Sequence, residues 1–218
     1  MKKRILLLAA LSLTFFSAKA QTTDSNYSKW SFNAGYSQYN FDRESTNLVN
    51  YKNSSGFYLG ADYNFYSFGN FKLNTGLRFT SFNFENNFGN GADESFKGRF
   101  GNIPLNVTST LPLGENGELF FGSGFNLSLH LNNEISFYSK YDDVSLWTKP
   151  YSLQSQFLLG YNLNTDHGKF GVELFYQLPL DDSYMILEQV NNRYKNIPSG
   201  VLGLQSLNVG LKFTPKNK

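Results

Sequence analysis

The chain has 218 residues, 19 basic and 17 acidic side chains, a formal charge of +2, no cysteine, and 22 Phe and 14 Tyr beside 19 Gly. Without cysteine there are no disulfides, no thiolate metal sites and no lipid-modified cysteine anchor. The small net charge offers no basic face for nucleic acid, and no apolar run reaches the roughly 20 residues of a membrane-spanning helix.

Residues 1–20 open with Lys2, Lys3 and Arg4, continue as an apolar run from Ile5 to Phe16, and close with Ala18-Lys19-Ala20. This pattern predicts a secretory signal peptide, with the mature domain spanning 21–218. The signal segment holds four basic residues and no acidic one, which leaves the remainder with a charge of −2.

Eight stretches with period-two alternation follow, and no amphipathic helix. The first carries Trp30, Phe32, Ala34 and Tyr36 on one face, with a phase slip expected before Tyr39 and Phe41. The second is Phe57, Leu59, Ala61, Tyr63 and Phe65; the third is Phe71, Leu73, Leu77 and Phe79, with a slip or bulge expected at Phe82 and Phe84. Ile103 to Leu113 forms the fourth, Leu119 to Leu129 the fifth, Tyr151 to Tyr161 the sixth, and Phe170 to Leu178 the seventh. The eighth is QSLNVGLKF, where Leu207, Val209, Leu211 and Phe213 share a face. Pro104, Pro112 and Pro179 sit near strand ends, where a missing N–H conflicts least with a closed sheet.

The connections alternate in length. Those around 42–54, 85–101, 132–149 and 181–200 are long, whereas Ser67 to Asn70, Gly114 to Gly117 and Asn164 to Gly168 are short and carry hairpin residues. An even number of antiparallel strands with all short turns at one end is the layout of an up-and-down β-barrel in the outer membrane, with both termini periplasmic.

The polar face decides which side is wet. Ser31, Asn33, Asn64, Asn126, Gln156 and Asn208 are small and uncharged, suited to a crowded lumen, while the apolar face is bulky throughout. Five charges share the inward parity: Asp62, Lys72, Arg78, Glu173 and Lys212. An eight-stranded barrel is wide enough only for side chains, so these are expected to form an ion-pair network rather than line a channel. Aromatics gather at strand ends, as interfacial girdles do: Trp30, Phe65, Phe170 and Phe213 toward the short turns, Tyr36, Phe57, Phe79 and Tyr151 toward the long loops.

Ile103-Pro104-Leu105, Phe121-Gly122-Ser123-Gly124, Leu159-Gly160-Tyr161 and the terminal Gly210-Leu211-Lys212-Phe213 together resemble the PorT-like outer-membrane β-barrel family of Bacteroidota-type bacteria. The resemblance implies an eight-stranded barrel, and the branch that names the family is linked to a protein secretion and gliding system. It also implies that Phe213, with Leu211 and Gly210, is read by the barrel-assembly machinery, although Thr214 to Lys218 follow where the family ends on its aromatic residue.

Candidate chemistry is sparse. His167 lies in a short turn beside Asp166 and reads as solvated. Ser128 and His130 share the inward parity on the fifth strand; as nucleophile and base, with Glu134 or Asp182 as orienting acid, they would make a lipid-modifying hydrolase. The competing reading is a hydrogen-bonded lumen cluster. Asp142-Asp143 and Asp181-Asp182 lack the spacing of a calcium loop, and no cofactor or metal is expected. The long loops place Phe137, Tyr138, Trp147, Tyr184, Met185 and Ile186 beyond the membrane, as hairpin packing or as a contact surface for a protein partner. The expected protein is therefore a non-enzymatic outer-membrane barrel surrounded by lipid, with a binding or assembly role in its loops. A hydrolase using Ser128 and His130, or a narrow solute pore, is the alternative.

Overall fold

The computed structural model describes residues 26–43, 50–51, 54–87, 93–131, 134–138, 143–147, 150–180, 186–189 and 202–217. Eight of its strands close a barrel: β1 (Trp30–Arg43), β2 (Ser54–Phe68), β3 (Phe71–Asn87), β4 (Asp93–Leu113), β5 (Gly117–His130), β6 (Tyr151–Asn164), β7 (Gly168–Pro179) and β8 (Leu202–Pro215). Each pairs antiparallel with its sequence neighbours, and β1 pairs with β8 from Phe32↔Phe213 to Arg43↔Leu202, which removes the sheet edge. The expected signal peptide at 1–20 lies outside the described residues.

Alternation sets the two faces as expected. Leu77 and Leu211 are 69% and 68% exposed on the outside, while Asn126 and Gln156 are fully enclosed. Exposed Leu, Val, Phe and Tyr side chains cover the outer surface of every barrel strand, an inversion of soluble packing that only hydrocarbon outside the barrel satisfies. Trp30, Phe65 and Phe170 project outward near the short turns, with Tyr36, Phe57 and Tyr151 nearer the other end. The short turns are as read: Gly69 and Gly114 adopt φ of 56° and 71°, which their lack of a Cβ permits.

Two expectations are corrected. The alternation does not slip at Tyr39 or at Phe82: β1 runs in unbroken register against β8, and Gly56↔Phe82 continues the β2–β3 ladder without a shift. Both rings instead keep the inward parity and are buried in the lumen. The irregularity in the β2–β3 pair lies at the other end, between Asn64 and Tyr66. The backbone skips a residue there, which turns both Phe65 and Tyr66 outward.

Two of the three prolines lie where they are predicted, and Pro104 does not. Pro112 and Pro179 lie at strand ends. Pro104 is buried within β4, opposite an interruption in the β3–β4 ladder, where Thr75↔Leu105 and Arg78↔Asn102 flank positions that make no bridge. The region expected as a long loop around 85–101 is mostly strand, since β3 continues to Asn87 and β4 starts at Asp93. Beyond the barrel, 134–138 pairs with 143–147, which in turn pairs with 186–189, so the third and fourth long connections share a three-stranded sheet.

Candidate functional site: the barrel lumen

The lumen has four levels. At the long-loop end, four rings from four strands follow one another across the interior. Tyr39 and Phe82 have centroids 4.6 Å apart, Phe82 and Phe100 stack at 5.2 Å, and Phe100 meets His130 at 4.6 Å. Their burial lines that part of the lumen with apolar surface.

Beneath them lies a layer of amides and hydroxyls. Asn126 Nδ2 lies within 3.0 Å of Asn102 Oδ1, Ser128 Oγ and Gln154 Oε1, which share its two N–H donors. Ser128 Oγ donates to Asn102 Oδ1 at 2.6 Å. Across the lumen, Gln177 donates to Gln156, Ser206 donates to Gln177, and Asn208 donates to Ser206. Ser128 is thus bound into the amide layer by Asn102, Asn126 and Gln154, while His130 packs on Phe100. Their shared parity brings them to one wall without joining them as nucleophile and base, a geometry that favours the lumen cluster over catalysis. Glu134 is described only as a strand position, and Asp182 lies outside the described residues.

The ionic level comes next. Arg78 grips Asp62 with Nε and Nη2 at 3.0–3.3 Å, Asn33 donates to Asp62 Oδ2 at 2.8 Å, and Lys212 Nζ approaches the same oxygen at 3.5 Å. The Arg78 guanidinium also lies over the Phe175 ring, 4.5 Å from its centroid. Of the five charges read from parity, Asp62, Arg78 and Lys212 meet here. Glu173 accepts a 2.9 Å hydrogen bond from the Tyr58 hydroxyl and adds its charge to the field on Arg78, and Lys72 stands nearer the short turns.

A buried pair of this kind, reinforced by further donors, resists opening because either ion alone would remain desolvated. A second pair escaped the parity reading: Lys169 donates to Glu118 Oε2 at 2.9 Å while Asn162 occupies Oε1. Glu118 and Lys169 stand beside turns, where charge reads as solvated; closure of the barrel turns both inward.

Glycines decide what fits. One hydrogen-bonded row around the barrel reads Tyr58, Gly35, Gly210, Glu173, Gly160, Phe120. Tyr58 lies along this row over the two glycines: a Cβ on Gly35 would come 2.6 Å from its ring, and one on Gly210 2.0 Å from its hydroxyl. Phe120 covers Gly160 in the same way, at 2.2 Å. Gly210 was expected as part of an assembly signal; in the folded barrel it makes room for Tyr58. Phe213 is half-buried against Phe170, ring centroids 4.6 Å apart, and the neighbouring Leu211 faces outward.

The fourth level is a cavity of about 390 Å³ at the short-turn end. Asp62, Asn106, Phe120 and Leu158 close its inner wall; Lys72, Asn74, Ser67 and Thr214 stand toward its mouth. The chain ends cross part of that mouth. Tyr27 bridges to Lys216, and the Lys169 ammonium sits 4.4 Å from the Tyr27 ring centroid.

The loop residues are seen only as backbone. Phe137 pairs with Val144, Tyr138 with Asp143 and Ile186 with Trp147, whereas Tyr184 and Met185 lie outside the described residues.

A closed antiparallel barrel, apolar outside and polar within, is an outer-membrane β-barrel protein. Among solved structures, the outer membrane protein OprG from Pseudomonas aeruginosa is similar over 88% of this chain and 99% of its own, with a TM-score of 0.50 and 10% identity. Neisserial surface protein A matches over 85% and 97% with a TM-score of 0.46 and 12% identity; Ail of Yersinia pestis matches over the same shares at 0.41 and 15%. The chain matches no protein-family model and no curated protein.

Proposed function

We propose that this chain is a non-enzymatic, non-conducting outer-membrane barrel that acts as a binding or assembly component through its extracellular loops. The observation that carries this reading is the pairing of 143–147 with both 134–138 and 186–189, which makes one sheet from two connections far apart in the chain. A shared sheet sets Phe137, Tyr138, Trp147 and Ile186 on paired backbone, which suits a protein-binding surface. The interior supports the same reading from the other side. An aromatic level and a buried ion pair stand in series across the lumen, leaving little for a pore to use. The PorT-like resemblance extends the proposal to the partner: a component of a protein-secretion apparatus. Phe213 remains the residue proposed for recognition by the barrel-assembly machinery.

Photo-crosslinking residues placed at 137, 147 and 186 in intact cells are expected to capture one protein species, while the same probe at the lipid-facing Leu159 does not. Equal capture from all four positions, or none from the loops, overturns the loop surface as the working part. For the hydrolase alternative, Ser128→Ala and His130→Ala are expected to leave lipopolysaccharide acylation unchanged.

A further inference from the structure

At the short-turn end, β2 and β3, β4 and β5, and β6 and β7 are each joined by a turn. The remaining pair, β1 with β8, has no turn between its strands, because they are the first and last of the barrel. A turn keeps two strands close even when their ladder has opened, so pairing them again costs little entropy. The β1–β8 seam lacks that help. An opened seam would also leave N–H and C=O groups unpaired at the membrane boundary.

The residues flanking these two strands supply a substitute. Those after Phe213 are not a loose tail, since they continue β8 against both of its neighbours. On one side Thr214 and Pro215 pair with Lys169 and Gly168, and Lys216 N donates to His167 O at 3.2 Å. On the other, Ser28 N donates to Pro215 O at 2.8 Å and Asn217 N donates to Asn26 O at 2.9 Å. Asn217 Nδ2 adds a 3.0 Å bond to Tyr27 O, across 190 positions of sequence.

Side chains fasten the same segment to the barrel wall. Tyr27 bridges to Lys216, and its ring centroid lies 4.4 Å from the Lys169 ammonium, which Glu118 holds at 2.9 Å. Lys169 is on β7 and Glu118 on β5, so the segment before β1 is gripped by strands with which β1 does not pair. Lys29 O accepts from Asn64 N at 2.8 Å, which ties its other side to β2. Segments beyond the last regular strand fray unless such contacts hold them.

We propose that residues 26–29 and 214–217 form a clasp, a non-covalent counterpart of the missing fourth turn, which holds the β1–β8 seam closed at the periplasmic end and sets the rate at which the barrel opens. Its two halves come from opposite ends of the barrel sequence, so it forms late and acts on unfolding more than on folding. The clasp is independent of the loop surface.

The test compares the full chain with its variants after refolding in detergent micelles, each fold verified by heat-modifiable electrophoretic mobility. A chain stopped after Phe213 is expected to unfold in urea at least about tenfold faster, with its refolding rate changed by less than about threefold. Tyr27→Ala is expected to unfold several-fold faster, whereas Tyr27→Phe, which keeps a ring beside the Lys169 ammonium, retains the wild-type rate. In Tyr27→Ala, amide exchange should accelerate at Ser28, Lys216 and Asn217 but not at Asn164, which bonds Asn116 between two other turns. Tyr27→Cys with Lys216→Cys, in a chain that has no other cysteine, joins two bridged positions by a disulfide. Reduced, this double variant should unfold faster than wild type; oxidised, more slowly. Wild-type unfolding rates in both Tyr27→Ala and the reduced double variant, or an oxidised form no slower than the reduced one, overturn the clasp. Should the stopped chain fail to fold, the other variants decide.

Discussion

Tyr58 and Glu173 are 115 positions apart, yet each exists in its present form because of the other. The tyrosine reaches Glu173 only because Gly35 and Gly210 leave a trough for its ring. Tyr58→Phe would leave a buried carboxylate oxygen without its donor, and is expected to cost about 1–3 kcal/mol in urea-dependent unfolding from micelles. Gly210→Ala places a methyl where the Tyr58 hydroxyl now lies, with an expected cost of about 1–3 kcal/mol from overpacking. If Gly210→Ala proved neutral in wild type but destabilising with Tyr58→Phe, the trough would have some other purpose. At the ionic level, Asp62→Asn strands Arg78 in the interior. The same measurement should then show a loss of about 3–5 kcal/mol, the penalty of one uncompensated buried ion. The inward parity of Asp62, Arg78 and Lys212 was legible in the sequence, because alternation assigns each residue a face. Their meeting was not, since it depends on which residue of β8 lies beside which residue of β1.

At the scale of the strand, the alternation held even where the composition argued against it. Tyr39 and Phe82 read as phase slips only if every large aromatic must touch lipid; in the barrel they fill the lumen, and the ladder stays in register. A lumen tolerates an apolar ring where other rings surround it, as Phe100 and His130 do here. Binary patterning is therefore a weaker guide inside a barrel than outside. On the outside it is strict. Leu159→Lys, on the lipid face midway along β6, is expected to destabilise the refolded barrel by about 2–4 kcal/mol, the cost of a cation facing hydrocarbon. Asn74→Lys, in the open part of the lumen, should change stability far less. Equal effects at the two sites would mean that the lipid face has been assigned wrongly. The strand lengths also exceeded expectation: β3 and β4 continue well past the last clearly alternating residues, into sequence whose polar composition reads as loop. Backbone pairing between adjacent strands continues the ladder there, from Asn83↔Lys97 to Asn87↔Asp93.

For the molecule as a whole, closure determines what can pass and what cannot. The rings near Tyr39 and the Asp62–Arg78 pair lie in series, so a purified sample in a planar bilayer is expected to show no steady conductance. Regular channel steps that survive Asp62→Asn would instead point to a path around both. Accessibility measured on spin labels gives a second check: a label at Leu207 should collide with oxygen dissolved in the lipid, and one at Asn208 should be shielded from both lipid and water. The three-stranded sheet of the long connections and the cavity beside the short turns lie at opposite ends of this closed barrel.

The sequence by itself determined the number of barrel strands, the three short turns, and which side chains face lipid. All three follow from a period of two and from turn chemistry, which are local properties of the chain. Only the tertiary structure decided which inward residues touch, where Tyr39 and Phe82 go, that Glu118 and Lys169 form a pair, and that a polar cavity remains at one end. Those outcomes depend on register and on contacts across the lumen between strands far apart in the chain, where one glycine or one large ring on the opposite wall sets the space available.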